Sequence, residues 1–195
     1  MKFKAKAFFT TLFIVVCAFT SLLYVSCNPN GKNSVLDKCA AIACAHGGRC
    51  DQGSCVCPSG YDGVNCEIVT RDKYVHGWNV IEDGSITVES HYDLAIENNN
   101  DDVTVVYIKN LYNYFGTVRA NILKDTIIIP NQQIQGKVIF GKGYIYGDSL
   151  LGANTKICMR YEVVDSASMP QLVDDFGYYN TSNDNSKPSI WTKHN

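Results

Sequence analysis

Cysteine is the residue type whose number and spacing most clearly predict chemistry in this chain. Six cysteines lie within 28 residues, separated by four, five, four, one and eight residues: Cys39, Cys44, Cys50, Cys55, Cys57 and Cys66. A segment this short cannot bury enough apolar surface to fold without cross-links, so the cluster predicts disulfides and an oxidising, non-cytosolic compartment. Structural zinc sites instead favour cysteine pairs with a long insert between the pairs. No metal is therefore predicted here.

A second set of chemically capable side chains surrounds His91. It shares a face of a predicted strand with Glu89 and Asp93, so the three could converge on a metal or form a catalytic base. A strand with one face in solvent also carries polar side chains at alternate positions, and these need not form a functional site. This is the favoured interpretation of the three residues. Phosphate-binding, paired-histidine and serine-elbow motifs are absent from the sequence. We therefore predict no catalytic residue, no cofactor and a non-enzymatic protein, with a hydrolase site near His91 as an alternative.

The amino terminus has the pattern of an export signal. Three lysines in the first six residues precede an uncharged stretch over residues 7–25, as export signals do. The stretch ends in Leu-Leu-Tyr-Val-Ser before Cys27, and Asn-Pro-Asn-Gly follows. This resembles the lipobox of bacterial lipoproteins, although the usual leucine lies one place too early. The resemblance implies removal of residues 1–26 and lipidation of Cys27; a signal cleaved elsewhere and a retained anchor are the alternatives.

Cys158 lies apart from the cluster and from the proposed lipid anchor, and it is predicted to be a free thiol. A small, buried and inert thiol is the favoured interpretation, with intermolecular pairing or reactivity as alternatives. Apolar and polar residues alternate over residues 157–163, and the odd-numbered positions make up the apolar face of this predicted strand. Cys158 then shares the other face with Arg160 and Glu162, which predicts partial exposure.

The cysteine cluster ends in Cys-x-x-Gly-Tyr-x-Gly-x-x-Cys, and a single residue separates Cys55 from Cys57. Six cysteines permit fifteen pairings, and spacing does not choose among them. In its six cysteines, in the single residue between Cys55 and Cys57, and in its final motif, the cluster resembles an epidermal growth factor-like (EGF-like) module. The resemblance implies the pairs Cys39 with Cys50, Cys44 with Cys55, and Cys57 with Cys66. A calcium-binding subclass carries acidic or amide residues before the first cysteine, where this chain has Lys38, so no calcium is predicted.

Charge excludes one class of partner. From Cys27 onward the chain has 14 basic and 19 acidic residues, and they are dispersed. Nucleic acids are recognised by a basic stripe or patch. No nucleic-acid partner is therefore predicted.

The elements that position these residues are predicted to be strands throughout. Alternation and β-branched residues predict strands over residues 85–97, 103–109, 117–123, 126–129, 136–146 and 155–164,. Short connections favour antiparallel neighbours. The predicted fold class is all-β: after a linker at 27–36, a disulfide-rich module at 37–67 precedes an antiparallel β-meander at 72–164 that forms a small barrel or a sandwich. Residues 165–195 are predicted to be a tail with a last strand near 188–193.

The β-meander resembles the small lipocalin-like domains of exported Bacteroidota lipoproteins, on its architecture and on a Thr-Ile-Ile-Ile-Pro-Asn-Gln segment at 126–132. The resemblance implies a cell-envelope location, most simply as an outer-membrane lipoprotein facing the periplasm or the surface. It also implies an alternative function, a carrier of a small apolar ligand in the barrel.

Tyrosine-rich segments predict a contact surface for a protein or a glycan, because these side chains combine an apolar body with a polar tip. The aromatic residues concerned are Tyr107, Tyr112, Tyr114, Phe115, Tyr144, Tyr146, Tyr178 and Tyr179. The leading prediction is a lipid-anchored, non-enzymatic binding module with the EGF-like part as a spacer.

Overall fold

The computed structural model describes residues 38–147, 155–179 and 187–194. The chain divides into two units, Met1–Ala41 and Ile42–Asn195. Only four residues of the first unit, 38–41, are described. Cys27, Cys17 and the signal and linker segments lie outside the described residues. Within the described ranges, no helix is long and apolar enough to cross a membrane.

The disulfide-rich segment consists of two small antiparallel hairpins. The first pairs β1 (Arg49–Asp51) with β2 (Ser54–Val56), and the second pairs β3 (Tyr61–Asp62) with β4 (Ile68–Val69). The first turn has positive φ at Gln52 and Gly53, the backbone that a tight two-residue hairpin requires. Disulfides join Cys44 to Cys55 and Cys57 to Cys66. Cys39 and Cys50 are also disulfide-bonded.

A single large sheet forms the rest of the unit. Its strands are β5 (Gly77–Glu82), β6 (Ser90–Asn98), β7 (Val105–Lys109), β8 (Val118–Leu123), β9 (Thr126–Ile134), β10 (Lys137–Tyr146), β11 (Lys156–Asp165), β12 (Leu172–Asp175) and β13 (Ser189–Lys193). Neighbouring strands run antiparallel from β5 to β11, and β13 lies between β11 and β5. Pairing of β10 with β11 closes an eight-stranded barrel, and β12 is added on β11. The all-β prediction is confirmed, and the form is a barrel.

Alternating side chains fill the barrel from the inside. On β11 the side chains of Ile157, Met159 and Tyr161 are fully buried, whereas Cys158 and Arg160 are half-buried. The predicted apolar face of this strand is therefore correct. Closure also depends on β13, which the sequence placed in a tail, because its Trp191 is fully buried between β11 and β5.

Two predicted strand boundaries are wrong. The strand expected over 85–97 begins only at Ser90, and Val88, expected on its apolar face, is 80% exposed. The strand expected to break at Pro130 continues through it as β9. Opposite Pro130 the register shifts between Ile139 and Gly141, and such a bulge tolerates a residue that has no backbone N–H to donate.

A 3₁₀ helix at Thr70–Lys73 joins the disulfide-rich segment to the barrel. The Arg71 guanidinium donates from Nη1 to the carbonyl oxygens of Asn99 and Asp102 in the β6–β7 turn. Lys73 forms an ion pair with Asp125 in the β8–β9 turn. Two cationic side chains therefore fasten the segment to two adjacent turns of the barrel.

Candidate functional site

The interior of the barrel is a packed core. Its largest fully buried side chains are Trp78, Trp191, Tyr74, Tyr161, Phe115 and Phe176. The rings of Tyr161 and Phe176 stack at 4.4 Å between centroids. Side chains thus occupy the space in which a larger barrel would hold a ligand.

A buried carboxyl group links the strands that close the barrel. Glu82 on β5 accepts hydrogen bonds at Oε2 from the hydroxyls of Tyr161 on β11 and Ser189 on β13, each at 2.8 Å. The Trp191 indole N–H donates to the Ser189 hydroxyl at 2.8 Å. Burial raises the pKa of Glu82. Because these groups are engaged with one another inside the core, the network connects strands and presents no group to solvent.

A second buried carboxylate organises one end of the barrel. Asp174 accepts hydrogen bonds from the Ile86 backbone N–H at 2.9 Å and the Tyr112 hydroxyl at 3.0 Å. It also accepts from the backbone and hydroxyl of Thr87. These bonds hold residues 86–87 against β12, which explains why β6 begins only at Ser90. A small recess of about 80 Å³ lies beside Asp174, and its other lining residues are Ile86, Tyr112, Lys137, Val163, Asp165 and Leu172.

The structure places His91 in solvent. His91 Nε2 lies 3.2 Å from Glu89 Oε1, and their side chains are 61% and 69% exposed. Asp93 is equally open and contacts Asn79 and His194. None of the three lines the recess beside Asp174 or the cleft described next. Among the described residues, no group of three or more His, Cys, Asp or Glu side chains could hold a metal ion.

A cleft lies where the disulfide-rich segment meets the barrel, and we name it the junction cleft. It has a volume of about 490 Å³ and is lined by Asp62, Glu67, Ile68, Val69, Thr70, Asp72, Lys73, His76, Asp125 and Lys193. Burial, and then the charge of Lys193, lowers the pKa of His76. The lining mixes acidic and basic groups, and Lys73 is already paired with Asp125. The cleft therefore presents no surplus of basic charge.

A row of aromatic side chains, four of them exposed and one half-buried, follows the outer face of β10 and the segment after β12. We name it the aromatic row, and it consists of Phe140, Tyr144, Tyr146, Tyr178 and Tyr179. Its four tyrosines are 47%, 48%, 38% and 61% exposed, in chain order. The Tyr178 ring meets Phe140 edge-on at 5.0 Å, and Tyr179 meets Tyr178 at 5.1 Å. Large exposed aromatic surface of this kind marks contact sites in proteins.

Strand geometry fixes the spacing of the row. Alternate residues of a strand point to the same side and lie ~7 Å apart. On β10 the inward positions are Gly141, Gly143 and Ile145, and the outward ones are Lys142, Tyr144 and Tyr146. The Lys142 ammonium lies 5.1 Å from the centre of the Tyr144 ring. The outward side chains thus form a linear track along the strand.

The structure separates the aromatic residues that the sequence grouped together. Phe115 belongs to the core, and Tyr112 is half-buried against Asp174. Tyr107 accepts a hydrogen bond from Asn99 at 3.0 Å, and Tyr114 lies away from the row, over Gln135 and Lys137. Phe140 was missed by the sequence, although its period-two relation to Tyr144 was available as a signal.

The remaining predicted residue on this face is Cys158. It is free and half-buried, and it lies directly opposite Tyr144 on β10 and Ile190 on β13.

No protein-family model, curated protein or solved structure matches the chain.

Proposed function

We propose that this protein is an exported, non-enzymatic binding module of the cell envelope that holds glycans on the aromatic row. The observation that carries the proposal is the alignment of Tyr144 and Tyr146 on the outer face of β10, each about half exposed. A sugar ring has apolar C–H groups on its faces and hydroxyls at its edge. An exposed tyrosine complements both, because its ring is apolar and its hydroxyl donates and accepts hydrogen bonds.

The composition of the face favours a glycan over a protein partner. Lysine is depleted from the core of protein–protein interfaces, whereas Lys142 lies within the row and Lys156 lies opposite Tyr146. A carrier of a small apolar ligand has less support, because Trp78, Trp191 and other side chains fill the barrel.

The organisation of the chain supports a tethered module. The disulfide-rich segment followed by a closed barrel fits an EGF-like module and a lipocalin-like domain, and Arg71 fastens one to the other. We propose that Cys27 carries a lipid anchor and that the EGF-like module acts as a stapled spacer between this anchor and the barrel. Intact mass of the exported protein tests the tether, which requires an acylated amino terminus at Cys27.

Removal of the two β10 tyrosines tests the binding function. We expect Tyr144→Ala together with Tyr146→Ala to weaken glycan binding by roughly 10- to 100-fold, since each aromatic contact contributes about 1 kcal/mol. The measurement is binding of purified protein to an array of neutral and anionic oligosaccharides.

Tyr114→Ala is the matched control, because Tyr114 is 47% exposed but lies outside the row. It should bind as the unaltered protein does. Equal binding by the double variant, or equal loss in the control, would contradict the proposed role of the row.

A further inference from the structure

Three basic side chains lie on the same outer face as the aromatic row. Lys142 on β10 is directly opposite Arg160 on β11, and Tyr146 is directly opposite Lys156. Side chains opposite each other in an antiparallel pair have Cβ atoms roughly 5 Å apart, and like charges in this position repel. The pair of Lys142 and Arg160 therefore costs folding free energy unless an anion lies between them.

Nothing in the described part of the chain supplies that anion. None of the three basic side chains, Lys142, Lys156 and Arg160, forms a salt bridge with a described residue. Arg160 donates from Nη1 to the Gly177 carbonyl at 2.7 Å, which leaves other guanidinium N–H groups for a ligand. The nearest acids along β11 and β12 are Glu162 and Asp175, and both are more than nine-tenths buried.

The acids in register on this face are buried: Glu162 is opposite Phe140, and Asp175 is opposite Glu162. The remaining partners of the row and of its basic neighbours carry no charge. Lys142 is opposite Ile128 on β9, Tyr144 is opposite Thr126, and Lys156 is opposite Thr192 on β13. The charged side chains that this face leaves exposed or half-buried are thus basic, in a chain whose region from Cys27 onward has five more acidic than basic residues, 19 against 14. A local excess of one sign on a chain of the other sign is a signal of complementarity to a charged partner.

We propose that the aromatic row binds an anionic glycan, with a carboxylate or sulfate of the sugar between Lys142 and Arg160 and sugar rings stacked on Tyr144 and Tyr146. This inference rests on the proposed function and adds the chemical class of the ligand. The aromatic rings supply contact area that any sugar can use, and the basic pair selects for a charged one through charge-assisted hydrogen bonds.

Calorimetric titration of the purified protein tests the inference. The ligands are hexagalacturonate for a carboxylate, a chondroitin sulfate hexasaccharide for a sulfate, and maltohexaose as the neutral comparison. We expect at least one anionic hexasaccharide to bind at least tenfold more tightly than maltohexaose, and we expect its binding to weaken as salt is raised. The anion that binds more tightly identifies the preferred group.

Charge variants complete the test. Lys142→Gln should weaken anionic binding by about tenfold, the size of one charge-assisted hydrogen bond. Lys109→Gln on β7, where Lys109 lies near Glu97, is the matched control and should leave binding unchanged. Equal binding of maltohexaose that requires Tyr144 would overturn the anionic preference and leave the proposed function standing.

Two other outcomes would overturn the inference. One is failure of both anionic hexasaccharides to bind at millimolar concentration. The other is tighter binding of a polyglutamate peptide with the same dependence on Lys142, which would assign the face to an acidic protein.

Discussion

Glu162 is an acidic residue whose surroundings oppose its charge. It is 5% exposed, its Oε2 has no hydrogen-bond partner among the described residues, and Asp175 lies directly opposite on β12. Burial and then the charge of Asp175 raise its pKa above the ordinary value of 4.5. A carboxyl with a raised folded-state pKa stabilises the fold most below pH 4.5, and this contribution is lost as pH rises through the raised pKa.

Glu162→Gln should therefore increase the free energy of unfolding at pH 7 by roughly 1 kcal/mol, because the neutral amide removes the repulsion and can donate to Asp175. At pH 4 the variant and the unaltered protein should be equally stable. Urea unfolding at the two pH values is the measurement. Glu89→Gln, at a 69% exposed side chain, is the control, and a Glu162→Gln variant that is less stable at pH 7 would refute this account.

Single residues also show how far the sequence could predict the site. Alternation placed Cys158, Arg160 and Glu162 on the outer face, because period two follows from strand geometry alone. It did not predict that Asp174 would hold residues 86–87, since those partners are about 90 positions apart in sequence. The contact between Phe140 and Tyr178 was also missed, because these two residues are far apart in sequence as well.

Close packing of strands depends on two glycines of β10. A Cβ at Gly141 would lie 2.4 Å from the Tyr161 Cβ and 2.7 Å from the Arg160 carbonyl oxygen, and both neighbours belong to β11. Gly143 is similarly close to Met159. These glycines let β10 approach β11 at the pairing that closes the barrel.

Gly141→Ala should lower the free energy of unfolding by about 2–3 kcal/mol, because a backbone neighbour cannot move aside as a side chain can. Gly116→Ala is the matched control, since a Cβ there meets nothing within 4 Å, and its effect should stay within about 0.5 kcal/mol. Thermal and urea unfolding measure both. Equal stability of the two variants would exclude a packing role for Gly141.

The strands were predicted accurately from the sequence where apolar and polar residues alternate along them and polar residues form the turns between them. Five of the predicted strands correspond to β7, β8, β9, β10 and β11. The last strand predicted near 188–193 is also present, as β13. Prediction failed where a tertiary partner decides the outcome: Pro130 is tolerated because of a bulge in the β9–β10 pairing, and β13 closes the barrel through pairing with two distant strands. Neither feature has a local signal.

At the scale of the molecule, closure and filling of the barrel leave the outer face as the place for the proposed contact surface. The core side chains leave the exposed aromatic and basic groups of β10 and β11 as the chemically distinctive surface. The sequence predicted an all-β chain with a disulfide-rich segment and named Tyr144 and Tyr146 among eight aromatic residues. It could not separate them from Phe115, because only the closed barrel decides which face is outside.

Hydroxyl-radical footprinting of the full protein with hexagalacturonate is the most direct test of the aromatic row as the glycan-binding surface. Tyr144 and Tyr146 should become protected from oxidation by severalfold on binding, while Tyr114, which is similarly exposed, should react at an unchanged rate. Unchanged oxidation of Tyr144 and Tyr146 at saturating ligand, with protection at His76 in the junction cleft instead, would contradict the account.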